Sequence, residues 1–574
     1  AKGRALRMID PSLGAFIDNP DTVNFVARNS QYFMDFLVAN PQIVPSQLIS
    51  GRYLIVYANR SQVPVITQAL GSAFISSLPL VMGLLDTAAL EAAGILQVQE
   101  QPYLDLQGRG VLVGIIDTGI DYTQQAFINE DGTSKILYLY DQTVRGNTPE
   151  GYFIGTEYTH EQLNLALQSE DPYSVVPQQD QVGHGTFLAS VAAGRRIGAN
   201  VGAAPEADLI VVKLRQASQY FRDLFLVPPD QPNAYESTAV MIGIEYILQR
   251  ARELGRPVSI CLGIGTNFGS HDGFSLFEEY LGSISMLRGV CVSVAAGNES
   301  QARHHTQGKL AIAGEDQDMD IRVGENAGDF LVSLWNTAPD RFSVAVRSPT
   351  GEMVGRVPAR TGTTLEARLV LERSIVTVQY FFPVEGSGGQ LTNISFRYPT
   401  PGVWTIIVHG DIVLDGTYHA WLPMTGFVSR NVEFLTPTPY YTITVPGTAF
   451  GIITCGAYNS NNNSLYTRTS WGPTRLPMMS PDLVAPGVNV SGLFPTGYGT
   501  MEGTSVAAAI TAGAGALMLQ WGIVNGNDIA LSTYQIRAYL IRGCNRSDTL
   551  TYPNSQWGYG RLNLLQSFNL MREL

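Results

Sequence analysis

The chain has 574 residues, 45% of them hydrophobic and 15% charged, with a formal net charge of -13. This is ample apolar material for a sizeable core and more length than one ordinary domain needs. The acidic balance, with no basic patch, excludes a typical nucleic-acid binder, and no apolar stretch reaches the roughly 20 residues of a membrane span, the longest being 506–519.

Read in order, residues 1–7 are basic but lead into no apolar run, so no secretory signal is expected. Residues 22–38 carry Phe25, Val26, Tyr32, Phe33, Phe36 and Leu37 at roughly helical spacing, which predicts one helix. A strand at 52–57, a helix at 62–70, an extended segment at 78–82, a helix at 86–93 and a strand at 95–99 follow. Helices interleaved with short strands suggest a small α+β unit of the ferredoxin-like type over residues 1–99.

From about residue 100 the texture becomes that of a parallel sheet. The run Gly110–Asp121 is continuously apolar up to Asp117, the signature of a strand buried on both faces with a carboxylate at its end. Ligands and chemistry collect at such ends. Gly183-His184-Gly185-Thr186-Phe187 opens a small-residue run through Gly194, and the flanking glycines let backbone or substrate approach the imidazole. The loop at 195–200 offers one carboxamide and two positive charges, a poor calcium site, so no metal is expected there. A strand at 209–214, a polar excursion at 216–235, a helix at 237–253 and a strand at 257–262 come next. The run 290–299 is a further core strand ending in Ala295-Ala296-Gly297-Asn298-Glu299. His304 and His305 are adjacent and face apart on most backbones, so they do not suggest a metal. Cys261, Cys291, Cys455 and Cys544 are too scattered for a disulfide framework and read as buried hydrophobes in a reducing compartment.

Between 311 and 435 seven or eight short runs, at 329–335, 341–347, 364–371, 374–382, 391–397, 402–409 and 416–422, are separated by Gly, Pro and Asp turns. They predict a β-sandwich or jelly roll. Core-like runs resume at 441–446, 450–455, 470–473 and 481–487 and lead to Gly503-Thr504-Ser505, followed by the nearly charge-free run 506–519. Ser505 therefore opens a buried helix. The expected layout is an N-terminal unit at 1–99, a catalytic domain at 100–310 and 436–574, and an inserted sandwich at 311–435, α/β overall. The sandwich could brace the core, bind a partner or grip carbohydrate, and bracing is the simplest reading.

Alone, Ser505 could be a helix cap and Asn298 a turn residue. Together, Asp117, His184 and Ser505 supply a nucleophile, a base and an orienting acid in the order Asp, His, Ser. At these blocks and at 290–299 the chain resembles the subtilisin-like serine proteases, the subtilases. The resemblance implies a serine endopeptidase with catalytic Asp117, His184 and Ser505 and with Asn298 as the oxyanion-hole donor. It also implies substrate-binding walls at Cys261, Leu262 and Gly263 and at Ala295, Ala296 and Gly297, with protein or peptide as substrate. No cofactor is expected. Ala509 stands where many subtilases have proline, and Phe187 where many have histidine.

The layout narrows the likeness to the Csp germination proteases of clostridial spores and their gut-bacterial relatives. That resemblance implies a bacterial, intracellular or spore-associated location and action on the precursor of a spore-cortex hydrolase. It also implies a prosegment that is cut autocatalytically and stays bound non-covalently. The sequence places the cut between about Leu96 and Pro102, after Gln97, Gln99 or Gln101. The competing reading is a latent or non-catalytic protein that keeps the fold as an interaction scaffold.

Overall fold

In a computed structural model of the chain, which describes residues 11–85 and 95–572, a nine-stranded sheet forms the centre. Its parallel part runs Ile453–Asn459, Val290–Ala295, Val258–Leu262, Leu112–Asp117, Asp208–Lys213 and Ile136–Asp141 across the sheet. The chain moves to one side of Leu112–Asp117 and then crosses to the other, so the strand order reverses beside Asp117, where such sheets open a crevice.

The alternation along Leu112–Asp117 decides which face each residue serves. Val113 and Ile115 pack in the layer that holds helices His184–Ala193 and Thr504–Leu519. Leu112 and Ile116 pack in the opposite layer with Ser237–Leu254 and Leu276–Ile284. Both layers are apolar, which explains the unbroken hydrophobic run. Asp117 continues the odd-numbered series and so points to the face carrying His184 and Ser505.

Helix Thr504–Leu519 is buried along all 16 of its residues. Its alanines and glycines let it lie close to the sheet and to helix His184–Ala193. With the turn that follows it, Thr504–Val524 is long and apolar enough to cross a membrane, contrary to the sequence expectation, yet 89% of its apolar window lies inside the protein, where it is a core helix.

The N-terminal unit has a three-stranded antiparallel sheet in the order Thr22–Arg28, Tyr53–Asn59, Val44–Ile49. The expected helix at 22–38 is instead strand Thr22–Arg28 followed by helix Gln31–Ala39, whose first turn is capped by Ser30 Oγ accepting the Phe33 N–H. The mixed apolar run misled because Val23 and Phe25 face one layer while Val26 faces the other. Helix Val63–Leu70 completes a β-α-β-β-α order. The fourth strand of a ferredoxin-like unit, Val81–Leu84, leaves this sheet and pairs elsewhere. The expected helix at 86–93 lies outside the described residues. Residues 95–99 are not a strand: Ile95–Glu100 is a helix, with Gln99 Nε2 donating to the carbonyls of Gly202 and Ala203.

The sandwich has a six-stranded and a five-stranded antiparallel sheet sharing one apolar core around Phe330, Phe396, Trp404 and Ile406. Its first strand, His305–Lys309, precedes the expected boundary at 311, and Asp316–Val323, Met353–Val357 and Val432–Phe434 add strands to those expected. Arg28 joins all three units, pairing with Glu279 of the central domain at 2.7 Å and Glu385 of the sandwich at 3.2 Å.

The packing of the serine helix is tight enough to test. A Cβ on Gly513 would lie 2.2 Å from the Ala203 Cβ and 3.0 Å from the Ala192 carbonyl oxygen, neither of which moves without its backbone. Gly513→Ala should therefore destabilise by about 1–3 kcal/mol, despite the roughly 1 kcal/mol that alanine gains over glycine in a helix. Thermal or denaturant unfolding measures this, and an unchanged or raised stability would contradict the packing.

Candidate active site

Three segments converge where Leu112–Asp117 ends. Asp117 and His184 are 0% and 2% exposed, and His184 Nδ1 donates to Asp117 Oδ1 at 2.7 Å. The same carboxylate oxygen accepts the Thr118 N–H at 2.7 Å. The imidazole is thus held on its Nδ1 side, and Nε2 faces the cleft.

The placement of His184 depends on a residue that the sequence reading missed. Gly183 adopts φ 88°, a conformation open to glycine, and starts helix His184–Ala193. Asp180 caps this turn: Oδ1 accepts from the Gly183 N–H and the Thr118 hydroxyl, each at 2.8 Å, and Oδ2 from the N–H and hydroxyl of Thr186. Thr118 Oγ1 in turn accepts the Gly185 N–H at 2.9 Å. The residue after the acid is thereby tied to the helix that carries the base. An aspartate just ahead of an expected helix start was the available signal.

Ser505 is the second residue of its helix, after Gly503 at φ 137°. A Cβ built on Gly263 would lie 3.0 Å from Ser505 Cβ and 3.4 Å from His184 Cε1, so the serine and the imidazole flank the same point. The Ser505 hydroxyl is buried and makes no hydrogen bond among the described residues. Asn298 Oδ1 accepts both the N–H and the hydroxyl of Thr504, the residue before Ser505, at 3.0 and 3.1 Å. The structure therefore brings Asp117, His184, Ser505 and Asn298 together.

The cleft holds a segment of the same chain. Val81–Leu84 lies antiparallel between Tyr235–Glu236 and Ile264–Gly265, pairing Val81 with Glu236, Met82 with Tyr235, Gly83 with Gly265 and Leu84 with Ile264. The Leu85 N–H donates to the Gly263 carbonyl at 3.0 Å, and the Leu85 carbonyl oxygen lies 3.4 Å from His184 Nε2. The window expected for self-cleavage, about Leu96 to Pro102, overlaps helix Ile95–Glu100 and is not the segment in the cleft.

The expected substrate walls are placed with one correction. Gly263 makes the backbone contact just described, but the side chains of Cys261 and Leu262 turn into the two apolar layers of the sheet. Burial pushes the Cys261 thiol well above its ordinary range, so it stays protonated. A Cβ on Gly265 would meet Leu85 Cδ1 at 2.9 Å and Thr444 Oγ1 at 2.5 Å, which adds Gly265 and Thr444 to the surroundings of Leu85. The Thr444 N–H donates to the Ala296 carbonyl, and the Gly297 N–H donates to Thr504 Oγ1, so the wall Ala295, Ala296 and Gly297 joins the serine helix.

Glu299, next to Asn298, anchors the sandwich to the site. Its Oε2 accepts from His304 Nδ1 at 2.8 Å and Asn267 Nδ2 at 3.2 Å, and its Oε1 accepts the Thr425 N–H at 3.0 Å. His305 faces away and meets His419 Nδ1 at 3.1 Å. Burial raises the Glu299 carboxyl pKa, but His304 and the Thr425 N–H outweigh burial and hold it below its ordinary value.

The model of the subtilase family matches residues 108–320 and 435–560, more than half of the chain and interrupted by the sandwich. The structure of the CspB protease of Clostridium perfringens is similar, with TM-score 0.74 and 33% identity over 84% of this chain and 96% of that one. The serine protease AprX of Bacillus subtilis (strain 168) is 36% identical over 100 residues, 14% of this chain and 23% of AprX, so the match spans under a quarter of that relative's length.

Glu299→Ala should cost about 3 kcal/mol at neutral pH, because it strands buried donors on His304, Asn267 and Thr425. A depressed carboxyl stabilises the fold above its unfolded pKa, near 4.5, and that contribution is lost as the pH falls through the lower folded value. Unfolding of wild type and Glu299→Gln from pH 7 to pH 3 should show a gap that narrows below about pH 4.5. A gap independent of pH would contradict the charge-based account.

Proposed function

Because the chain belongs to the subtilase family of serine proteases, we propose that it is an endopeptidase whose chemistry is carried by Asp117, His184, Ser505 and Asn298. The observation that carries the proposal is the Leu85 carbonyl at 3.4 Å from His184 Nε2, with Ser505 on the same side. In the proposal this peptide carbonyl is the acyl group of the first reaction.

In this reading Ser505 Oγ attacks the carbonyl carbon while His184 Nε2 takes its proton. Asp117 fixes the imidazole tautomer through Nδ1–H and stabilises the cation that forms. The Asn298 side-chain amide and the Ser505 N–H meet the oxyanion, a donor pair in which one member is worth about 3 kcal/mol of transition-state stabilisation. His184 then protonates the leaving amine and activates the water that releases the acid. Substrate joins the cleft as a strand between Tyr235–Glu236 and Ile264–Gly265, so backbone hydrogen bonds give affinity.

The first substrate is the chain itself. The proposed cut follows Leu85, and the N-terminal part stays docked through the strand Val81–Leu84, its sheet and the Arg28 ion pairs. The likeness to the CspB protease supports a further proposal, that the mature enzyme activates the precursor of a spore-cortex hydrolase. The alternative, a latent interaction protein on this scaffold, is favoured by the occupied cleft alone.

Intact-mass measurement of wild type and Ser505→Ala separates these readings. Wild type should give two fragments, the larger beginning at Asp86, and the mutant one uncut chain. The Ser505 hydroxyl makes no hydrogen bond among the described residues, so the uncut mutant should still fold and unfold cooperatively. An uncut wild type would contradict self-processing, and equal cutting of the mutant would assign the cleavage to another protease.

A further inference from the structure

The cleft is roofed by the sandwich. A space of about 1250 Å³ runs past Gly83, Leu84, Leu85 and Asn298, and its far wall is supplied by Met424 to Arg430, which follow strand Thr417–Trp421. Within that wall Met424 and Phe427 are 2% and 1% exposed and press on the bound strand at one residue. A Cβ on Gly83 would lie 3.2 Å from Met424 Sδ, 3.2 Å from Phe427 Cζ and 3.3 Å from Met424 Cε, closer than ordinary van der Waals contact. Gly83 has no positive φ and pairs with Gly265 in a regular strand, so backbone conformation does not require glycine there. The requirement is the space under the two side chains.

The roof is held from several directions. The Asn267 side chain donates to the Leu422 carbonyl, the Thr425 N–H donates to Glu299, and the Phe427 N–H closes a turn onto the Met424 carbonyl at 2.8 Å. Gln231 Nε2 donates to the Gly426 carbonyl from the opposite bank of the cleft. The Phe427 ring stacks on Phe268 at 6.5 Å, and Phe268 packs on Phe225 at 4.6 Å. A larger residue at position 83 cannot be accommodated by swinging one loose side chain aside.

Resting on the protease reading, we propose that the Met424–Phe427 turn is a specificity element. It selects substrates with glycine as the third residue before the scissile bond. Around that position Leu85 is 2% exposed and Met82 0%, so both are enclosed. The substrate class is an extended protein segment of the pattern large apolar, glycine, any, large apolar, cut after the last. The inserted sandwich thereby takes part in substrate choice through a loop that reaches the cleft.

Two readouts test this, one without turnover. In the full chain carrying Ser505→Ala, hydrogen exchange reports whether the Leu85 amide is protected by its bond to Gly263. Adding Gly83→Leu should lower that protection at least about tenfold, and adding Met424→Ala, alone or with Phe427→Ala, should restore most of it. With the self-processed wild type, fluorogenic peptides Met-Xaa-Leu-Leu should show kcat/KM falling about tenfold or more from glycine to leucine at Xaa, with alanine between them. The Met424→Ala enzyme should flatten that series. Full protection of Leu85 in Gly83→Leu, or equal kcat/KM for glycine and leucine peptides, overturns the proposal. If no peptide is cut, the protease reading fails, and the exchange experiment still decides whether the turn excludes a side chain at that position.

Discussion

The hydrogen bond between His184 and Asp117 constrains the rest of the architecture, because it joins two fully buried groups from different layers of the chain. A buried carboxylate is costly unless it is paired, and the 2.7 Å imidazole contact together with the Thr118 N–H compensates Asp117 at Oδ1, while Oδ2 has no hydrogen-bond partner among the described residues. For that bond to form, Asp117 must lie on the odd-numbered face of its strand, and the helix beginning at His184 must start beside the strand end. The Asp180 cap fixes that start. The serine helix must then pack against the same face, and its run of alanines and glycines makes the close approach possible. The Asp117, His184 and Ser505 positions are in this sense a consequence of layer packing, with the polar groups placed where the apolar layers end.

The second organising feature is the exchange of a strand. The N-terminal unit gives up its fourth strand to the cleft, where Val81–Leu84 pairs on both sides. This satisfies the edges Tyr235–Glu236 and Ile264–Gly265, which would otherwise present unpaired backbone. The sandwich meets the same strand from above, and Glu299 links that roof to Asn298. One buried carboxylate beside a proposed oxyanion donor therefore couples the insertion to the site.

Much of this was legible in the sequence because it is local. The apolar run to Asp117, the small-residue stretch after His184 and the uncharged helix after Ser505 each declare their environment by composition, and the change of texture after residue 310 marks the insertion. What was missed depends on long-range pairing. Nothing local in Val81–Leu84 says that its partners lie near residues 235 and 264, and the window expected for self-cleavage, about Leu96 to Pro102, overlaps helix Ile95–Glu100, which Gln99 anchors to Gly202 and Ala203. The helix expected over 22–38 failed for a related reason: a strand covered on both faces loses the alternation that identifies it. Met424 and Phe427 look like ordinary core residues of the insertion, and only the fold brings them over Gly83.

The central claim is that buried Ser505 is a nucleophile activated by His184. Peptide mapping after exposure of the protein to a fluorophosphonate tests it directly. The account predicts a single adduct, on Ser505, that is lost in His184→Ala. An unlabelled Ser505 in protein freed of the strand that fills the cleft, or labelling that persists undiminished without His184, would contradict it.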